Sequence, residues 1–493
     1  MSQTRLNRRV VRDYPEFLQH WEASFLLNRS TFRYTMILFQ KVSSQYYVLR
    51  KLFKTENLMF LPNSATVLPT EQQQEWADCE IGVIIHLDVQ VFEPSYSFRK
   101  QPGYTPAPSV FNPSDLDTDQ WLDTAKSCGA KYAVLVTKHF SGFSLWPTGV
   151  HGFSVASSPW RKGRGDVVGD FFRSCERHDI KPGLYYNAAY NAYGRVYGKG
   201  RILSGRNEEQ RAYNSLVEKQ LSELWSCYGN IFELWFDGGL VPPHLGGPEI
   251  IPLLEKYQPR AVVFQGPPGW PGLIRWVGNE RGEAPYPCWS RTDMLSSDDG
   301  MTERADMAGS AYGAIWAPAE SDMPNRDQNK AFMGGWFWRE GEDSLLYSLD
   351  HLVERYYTSV GRNTNLLLGM VIDNRGLVPD ADRKRFAEFG REIERRFGRP
   401  LCSISGKGTI FELSPFSGPF SHAVIMEDIS RGENILRYAV EILCGKEWLE
   451  VTHGFNVGHK RIEKFPPVYA SKARLVIRES ITIPVIRNFA LFR

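Results

Sequence analysis

The sequence has few cysteines and no long apolar segment, and each absence excludes a class of protein. Its 493 residues contain only 7 cysteines, with no Cys-x-x-Cys pair and no cluster of cysteine and histidine. A structural zinc site is therefore not predicted, and the odd number excludes complete pairing in disulfides. No segment approaches the roughly 18 consecutive apolar residues that a membrane-spanning helix requires, so no membrane segment is predicted.

An excess of charge of one sign is also missing. Lys and Arg number 58 against 56 Asp and Glu, which gives a formal net charge of +2. Proteins that bind nucleic acid or an anionic membrane surface usually carry a marked positive excess. The balance therefore predicts neither partner, and it suits an uncharged ligand. No pattern in the sequence indicates an oligomeric state.

Aromatic residues are abundant. They make up 13% of the chain, as 14 Trp, 22 Tyr and 29 Phe. Their rings bring large apolar area to a core, and they also offer flat faces to the apolar sides of sugars. The composition indicates a thick core or a carbohydrate site, and it leaves both open.

The first part of the chain, residues 1–67, is basic and has no clear periodicity, so no structure is predicted for it. Its opening residues, MSQTRLNRRVVRDYPEF, contain no uninterrupted apolar segment ahead of a small-residue cleavage site. No signal peptide is predicted from this pattern.

From Pro69 onward, short apolar segments alternate with longer segments of helical period. This alternation is typical of repeated βα units around a parallel sheet. Predicted strands are Ile81–Leu87, Tyr132–Lys138, Gly183–Ala188, Phe232–Asp237, Ala261–Gln265 and Asn365–Gly369. Predicted helices begin at Ser114, Asp166, Asn207 and Glu249 and near Leu345 and Asp380. No glycine fingerprint follows the first strand, so a (β/α)8 TIM-like barrel over residues 68–398 is favoured over an open dinucleotide-binding sheet.

The helical period stops after residue 398. Segments that alternate apolar and polar residues follow, separated by Gly, Pro, Ser and Asn. They are Thr409–Leu413, His422–Glu427, Tyr438–Cys444, Glu447–Thr452 and Ala473–Arg478. Residues 399–493 are therefore predicted to form a C-terminal antiparallel β-sandwich.

Polar side chains stand at the ends of four predicted strands. The strands end in His86, in Lys138 and His139, in Tyr186 and Asn187, and in Asp237. Each of these residues alone is explained by a hydrogen bond to a turn. Four such endings in succession instead indicate an active site, because catalytic groups of a barrel lie at the carboxyl ends of its strands.

Longer motifs around these residues resemble the α-L-fucosidases of glycoside hydrolase family 29. The motifs are AKYAVLVTKHFSGFSLWP at 130–147, SPW at 158–160, GDVV at 165–168, KPGLYY at 181–186, LWFDG at 234–238, IRWVGNE at 274–280, WAPAESD at 316–322 and SVGRN at 359–363. The resemblance covers about residues 68–493 in order. It implies a retaining exo-α-L-fucosidase that acts on fucosylated oligosaccharides or glycoconjugates without a metal or an organic cofactor. It also implies an extracellular or lysosomal location.

A retaining glycosidase requires two carboxyl groups about 5 to 5.5 Å apart, one a nucleophile and the other an acid/base. The resemblance implies that Asp237 is the nucleophile. Two positions match an acid/base motif in different branches of the family, Glu280 and Glu320. Glu280 is favoured, with Glu320 as the alternative or as a ligand of substrate hydroxyls.

The resemblance further implies that His86, His139, Tyr186 and Trp235 surround the fucose. Trp146 and Trp336 are predicted to offer aromatic faces to its methyl side. Many relatives have two consecutive histidines where this chain has His139 and Phe140, so one sugar contact is expected to be missing. The alternative to an enzyme is a catalytically weak or inactive fucose-binding protein on the same scaffold.

Overall fold

The computed structural model describes residues 67–98, 104–293, 307–414 and 418–493. The predicted basic segment 1–67 lies outside this part, apart from its last residue. In the described residues all seven cysteines are free thiols. None of the described helices has the length and apolarity needed to cross a bilayer.

A closed barrel of eight parallel strands forms the larger part of the fold. The first twelve strands of the chain are β1 (Ile81–His86), β2 (Tyr132–Lys138), β3 (Lys181–Tyr186), β4 (Tyr190–Asn191), β5 (Val196–Tyr197), β6 (Glu233–Phe236), β7 (Val262–Phe264), β8 (Leu273–Trp276), β9 (Arg291–Thr292), β10 (Ile315–Trp316), β11 (Ala319–Pro324) and β12 (Asn365–Val371). Around the barrel the order is β1-β2-β3-β6-β7-β8-β11-β12, and β12 pairs with β1. The predicted TIM-like barrel is confirmed.

Most of the connections between barrel strands contain helices. The described α-helices are α1 (Glu71–Ala77), α2 (Thr118–Ser127), α3 (Val167–His178), α4 (Asn207–Cys227), α5 (Ile251–Tyr257), α6 (Leu349–Thr358) and α7 (Asp380–Phe397). The connection from β7 to β8 is instead a loop, residues 265–272. From β8 to β11 the described part of the chain has only the paired strands β9 and β10 and no α-helix.

Two barrel strands, β8 and β11, were not predicted from the sequence. β11 has the sequence AESDMP, whose acids do not form the apolar segment expected of a buried strand, yet all six residues are buried. β8 has only four residues, LIRW, and an arginine among them. The guanidinium of Arg275 is buried because it donates to the carbonyls of Ala317 and Trp289 at 2.7 Å.

Helix α1 closes the amino-terminal end of the barrel. A capping box fixes its start, since Thr70 and Gln73 each accept a hydrogen bond from the other's backbone N–H. The amide of Gln73 donates to the carbonyl of Leu273 at 2.8 Å. Trp76 packs among the apolar side chains of the barrel interior. The helix therefore keeps water out of the interior from below.

The C-terminal part is a sandwich of two antiparallel four-stranded sheets, as predicted. Its strands are β13 (Cys402–Lys407), β14 (Ile410–Leu413), β15 (Phe420–Glu427), β16 (Ile435–Cys444), β17 (Glu447–Gly454), β18 (Arg461–Val468), β19 (Ala473–Ser480) and β20 (Val485–Phe492). One sheet has the order β13-β20-β15-β18 and the other β14-β19-β16-β17. The sheets enclose a separate apolar core that includes Phe411, Tyr438 and Phe489.

A buried glutamate joins the sandwich to the barrel. Glu433 lies between β15 and β16, and its carboxylate accepts hydrogen bonds from the backbone N–H and the hydroxyl of Ser290 at 2.6 to 3.1 Å. The side-chain amide of Asn363 donates to the same carboxylate at 2.5 Å. Three donors from the barrel therefore depend on one carboxylate from the sandwich.

We expect Glu433→Ala to lower the free energy of unfolding by about 3 kcal/mol, because it leaves these buried donors without an acceptor. Urea denaturation followed by tryptophan fluorescence measures the change. The matched control is Glu447→Ala, which removes an exposed carboxylate on β17 and should change stability by less than about 0.5 kcal/mol. Equal effects of the two variants would contradict the role given to Glu433.

Candidate active site

A cavity of about 260 Å³ lies at the carboxyl ends of the barrel strands. It is lined by Ile84, His86, His139, Phe140, Tyr185, Trp235, Asp237, Glu280, Asp322, Met333, Gly334, Trp336 and Phe337. The lining combines aromatic rings with three carboxyl groups. Its size is near the lower end of the roughly 300 to 1,000 Å³ that small-molecule sites occupy.

Alternation along β6 brings Asp237 to the cavity. Side chains of a strand alternate between its two faces, so Glu233, Trp235 and the residue after the strand, Asp237, share the interior face. Trp235 lines the cavity together with Asp237. Glu233, at the start of the strand, is completely buried. The predicted nucleophile, Asp237, and the predicted aromatic contact, Trp235, therefore reach the same cavity.

Two hydrogen bonds orient the carboxylate of Asp237. The hydroxyl of Tyr185 donates to Oδ2 at 2.6 Å, and the side-chain amide of Asn187 donates to the same oxygen at 3.0 Å. The chain then turns away through Gly238 and Gly239, whose φ angles of 73° and 72° are in the left-handed region that glycine adopts without strain. The carboxylate is thus held in one orientation at the cavity.

Glu280 lies on the loop that follows β8 and is exposed at the cavity. The indole N–H of Trp336 donates to its Oε2 at 3.1 Å. Trp336, predicted to contact the sugar, itself lines the cavity. The structure therefore places the favoured acid/base candidate and Asp237 around the same space.

Glu320, the alternative candidate, lies beneath the cavity and not in its lining. Its side chain is fully buried in the barrel interior. The hydroxyl of Tyr132 donates to Oε1 at 2.6 Å, and the indole N–H of Trp235 donates to Oε2 at 2.9 Å. Trp235 thus bonds to this carboxyl and also lines the cavity, whereas Glu320 does not line it.

A third carboxyl of the cavity, Asp322, was missed by the sequence analysis. It lies two residues after Glu320 on β11 and accepts a hydrogen bond from the indole N–H of Trp276 at 2.6 Å. Burial, with a further contribution from the charge of Glu280, raises the pKa of Asp322 well above its usual range. The spacing Glu320-Ser-Asp322 could have indicated it, because residues two apart on a strand face the same way.

His86 and His139 both lie in the cavity wall. Their ring centroids are 5.9 Å apart, and Phe337 lies against the edge of each. Burial lowers the pKa of His86 to about 3, so this imidazole is neutral at ordinary pH. Its Nδ1 is 3.4 Å from the carbonyl of Ile84, which favours the tautomer protonated at Nδ1 and leaves Nε2 as an acceptor.

Tyr185, not the predicted Tyr186, reaches the cavity. The hydroxyl of Tyr186 donates to Gln220 on α4 at 2.8 Å, and the ammonium of Lys138 lies 4.0 Å from the centre of its ring. Tyr186 belongs to the core between strands and helices, whereas Tyr185 packs with the barrel interior. With two tyrosines in succession, the sequence does not show which one faces inward, and the structure brings Tyr185 rather than Tyr186 to the cavity.

Trp146 is also absent from the cavity lining. Its side chain is buried, and the indole N–H donates to Glu223 on α4 at 3.0 Å. Trp146 therefore attaches the loop after β2 to a helix, contrary to the predicted sugar contact. Phe140, which stands where many relatives have a second histidine, does line the cavity and packs against Phe98 at 4.6 Å between ring centroids.

Comparison with known proteins agrees with the resemblance in the motifs. The family model for α-L-fucosidase matches residues 59–396. Alpha-L-fucosidase 1 of Arabidopsis thaliana is 30% identical over 470 residues, which cover 86% of this chain and 87% of the relative.

Solved structures agree as well. A Bacteroides thetaiotaomicron protein that has been assigned as an α-L-fucosidase superposes with a TM-score of 0.80 at 36% identity, over 87% of this chain and 99% of the other. A glycoside hydrolase 29 family member from an unknown rumen bacterium superposes with a TM-score of 0.71 at 26% identity, over 87% of this chain and 77% of the other. The chain therefore belongs to the α-L-fucosidases of glycoside hydrolase family 29.

Proposed function

We propose that this α-L-fucosidase is a retaining exo-enzyme that removes terminal α-L-fucose from oligosaccharides or glycoconjugates through a covalent intermediate. The observation that carries the proposal is the convergence of Asp237 and Glu280 on one small cavity. A cavity of about 260 Å³ suits a single sugar at the end of a chain better than an internal residue of a long glycan.

In this mechanism Asp237 attacks the anomeric carbon. The hydrogen bonds from Tyr185 and Asn187 hold its carboxylate at a fixed angle, so that little reorganisation precedes the attack. Glu280 protonates the oxygen of the leaving group, and in the second half-reaction it activates the water that hydrolyses the glycosyl ester. Its exposed position at the cavity suits contact with both the leaving group and water.

Glu280 is a better acid/base than Glu320 for a steric reason. Proton transfer requires the carboxyl to approach the glycosidic oxygen within hydrogen-bond distance. Both oxygens of Glu320 already accept hydrogen bonds from Tyr132 and Trp235, and its side chain is completely buried. Glu320 is therefore not assigned contact with the substrate.

Neutral groups around the carboxylates bind the sugar hydroxyls. His86 offers an acceptor at Nε2, and Asp322, protonated because burial raises its pKa, offers a donor. His139 adds a further polar group, and the rings of Trp235 and Trp336 provide apolar contact. The ring of Phe140 gives one apolar surface where a second histidine would give a hydrogen bond.

We expect Asp237→Ala to lower kcat on a nitrophenyl α-L-fucoside by at least about a thousandfold, because no nucleophile remains. Added azide should restore part of the rate and yield β-fucosyl azide, which chromatography detects. Asp123→Ala removes an exposed carboxylate of α2 and serves as the control with unchanged turnover. Full activity of Asp237→Ala would refute the nucleophile assignment.

Glu280→Ala should discriminate between leaving groups. A nitrophenolate leaves without protonation, whereas a sugar hydroxyl needs an acid, so kcat/KM should fall at least about a hundredfold more for a fucosylated oligosaccharide than for the nitrophenyl fucoside. The matched control is Glu283→Ala, three residues along the chain, whose carboxylate pairs with Arg355. An equal loss on both substrates would remove Glu280 from the acid role.

The two consecutive tyrosines allow a paired test of the cavity. Tyr185→Phe removes a donor to the nucleophile and should lower kcat by about tenfold to a hundredfold. Tyr186→Phe removes a hydroxyl that bonds to Gln220 outside the cavity and should leave kcat within about threefold. Steady-state kinetics on the nitrophenyl fucoside measures both. A larger loss with Tyr186→Phe would reverse the assignment.

A further inference from the structure

Two carboxyl groups lie together beneath the floor of the cavity. Glu233 on β6 and Glu320 on β11 are both fully buried in the barrel interior. The two carboxyls are close enough for the charge of Glu320 to contribute to the raised pKa of Glu233. We call these two residues the carboxyl pair. Neither lines the cavity, and the mechanism described above uses neither of them.

The surroundings distribute one proton within the carboxyl pair. Burial and the charge of Glu320 raise the pKa of Glu233 well above its usual range, so Glu233 is the protonated member. Burial raises the pKa of Glu320 only to about 7, because Tyr132 and Trp235 donate hydrogen bonds to it at 2.6 and 2.9 Å. Glu320, which accepts the two short hydrogen bonds, is thus the member that ionises more readily, since the donor to Glu233 is Trp76 at 3.4 Å.

The structure makes room for these donors. Gly82 on β1 is paired with Tyr132, and a Cβ at this glycine would lie 2.2 Å from Cζ of the tyrosine ring. Only a glycine therefore allows the ring of Tyr132 to lie across β1 and direct its hydroxyl to Glu320. The position of the Glu320 carboxylate therefore depends on Gly82 of β1 as well as on its hydrogen-bond donors.

Trp235 connects Glu320 to the cavity. Its indole N–H donates to Glu320, while its ring is stacked on Phe264 and on Tyr185 with centroid distances of 4.0 and 5.3 Å. Tyr185 in turn donates to Asp237. The hydrogen bond to Glu320 fixes the orientation of the indole within this stack. It therefore also supports Tyr185, which stacks on the indole and donates to Asp237.

The charge of Glu320 also reaches the cavity. It contributes to the raised pKa of Asp322, which lines the cavity one level above on the same strand. A field that disfavours a second negative charge there favours a positive one. In the hydrolysis of a glycoside, positive charge develops on the sugar ring only in the oxocarbenium-like transition state.

We propose that Glu320 is a positioning residue for transition-state charge: a buried carboxylate that holds Trp235 by its indole N–H and stabilises the cationic sugar from beneath the cavity floor. This inference rests on the proposed function, since it requires a glycosyl cation in the cavity. It assigns Glu320 no proton transfer and no contact with the substrate. Interactions made only in the transition state raise kcat and leave substrate binding nearly unchanged.

The test compares two isosteric variants of the carboxyl pair. Glu320→Gln removes the charge and retains an oxygen for the indole N–H, and it should lower kcat at least about tenfold while KM changes less than about threefold. The fall should be similar for nitrophenyl and oligosaccharide substrates, because every step passes through a cationic transition state. Glu233→Gln replaces a carboxyl whose pKa is raised well above its usual range by an uncharged amide of the same shape, so its kinetics should stay within about twofold of the wild type.

Ligand binding gives a readout that a purely structural role would not move. Calorimetry compares L-fucose, which is neutral, with deoxyfuconojirimycin, an iminosugar of the same configuration that is cationic at neutral pH. In Glu320→Gln the iminosugar should bind at least about tenfold more weakly, whereas fucose should bind within about twofold of the wild type. Equal weakening of both ligands would show a structural role only and overturn the proposal.

The remaining outcomes are also decisive. Wild-type kcat in Glu320→Gln, or an equal loss in Glu233→Gln, would refute the role of the charge. A loss confined to oligosaccharide substrates would make Glu320 the acid instead.

If Glu320→Gln does not fold, Tyr132→Phe offers a second test, because it removes one hydrogen-bond donor to the Glu320 carboxylate. This variant should weaken binding of the iminosugar more than binding of fucose. Equal weakening of both would overturn the proposal. A wild-type protein that releases no fucose from the nitrophenyl fucoside would refute the proposed function itself.

Discussion

The site depends on one constraint, the alternation of side chains along parallel strands that enclose a closed interior. A residue two positions further along a strand lies about 6.6 Å nearer to the carboxyl end on the same face. On β6 this rule stacks Glu233, Trp235 and Asp237, and on β11 it stacks Glu320 and Asp322. Deep members of these columns are closed off from water, and upper members line the cavity. A change of register by one residue would turn every one of these groups outward.

Carboxyl groups in such an interior need hydrogen-bond donors, and aromatic side chains supply most of them here. An indole or phenol donates a hydrogen bond to a buried carboxylate without neutralising its charge. A guanidinium neutralises the charge, as Arg326 does for Asp382 on α7. A carboxyl group with such donors can therefore still gain or lose a proton. The abundance of aromatic residues in the composition is explained in part by this arrangement. The donor and acceptor pairs are Trp76 with Glu233, Trp235 with Glu320, Trp276 with Asp322, Trp336 with Glu280, and Tyr185 with Asp237.

The sequence predicts the repeated part of this fold well and the polar interior less well. Six barrel strands and the start of α3 at Asp166 follow from apolar segments and a capping aspartate. β11 could not be found in the same way, because its carboxyls are buried among donors from distant strands that no local pattern reveals. The motifs direct attention to Asp237 and Glu280, which the structure brings to one cavity. Strand parity decides between Tyr185 and Tyr186, and Trp146 shows that a tryptophan in a conspicuous motif can serve to attach a loop.

The loop that carries Glu280 continues into a segment that contacts the sandwich. Further along the same segment, the hydroxyl of Tyr286 bonds to the backbone N–H and carbonyl of Phe455, and the N–H and hydroxyl of Ser290 bond to Glu433. Both partners belong to the β-sandwich. The segment that follows Glu280 is therefore attached to the sandwich at two points, whereas most other connections between barrel strands contain a helix. A change in the sandwich at Phe455 or Glu433 would therefore remove a support of that segment, so the shape of the cavity rim depends on residues outside the barrel.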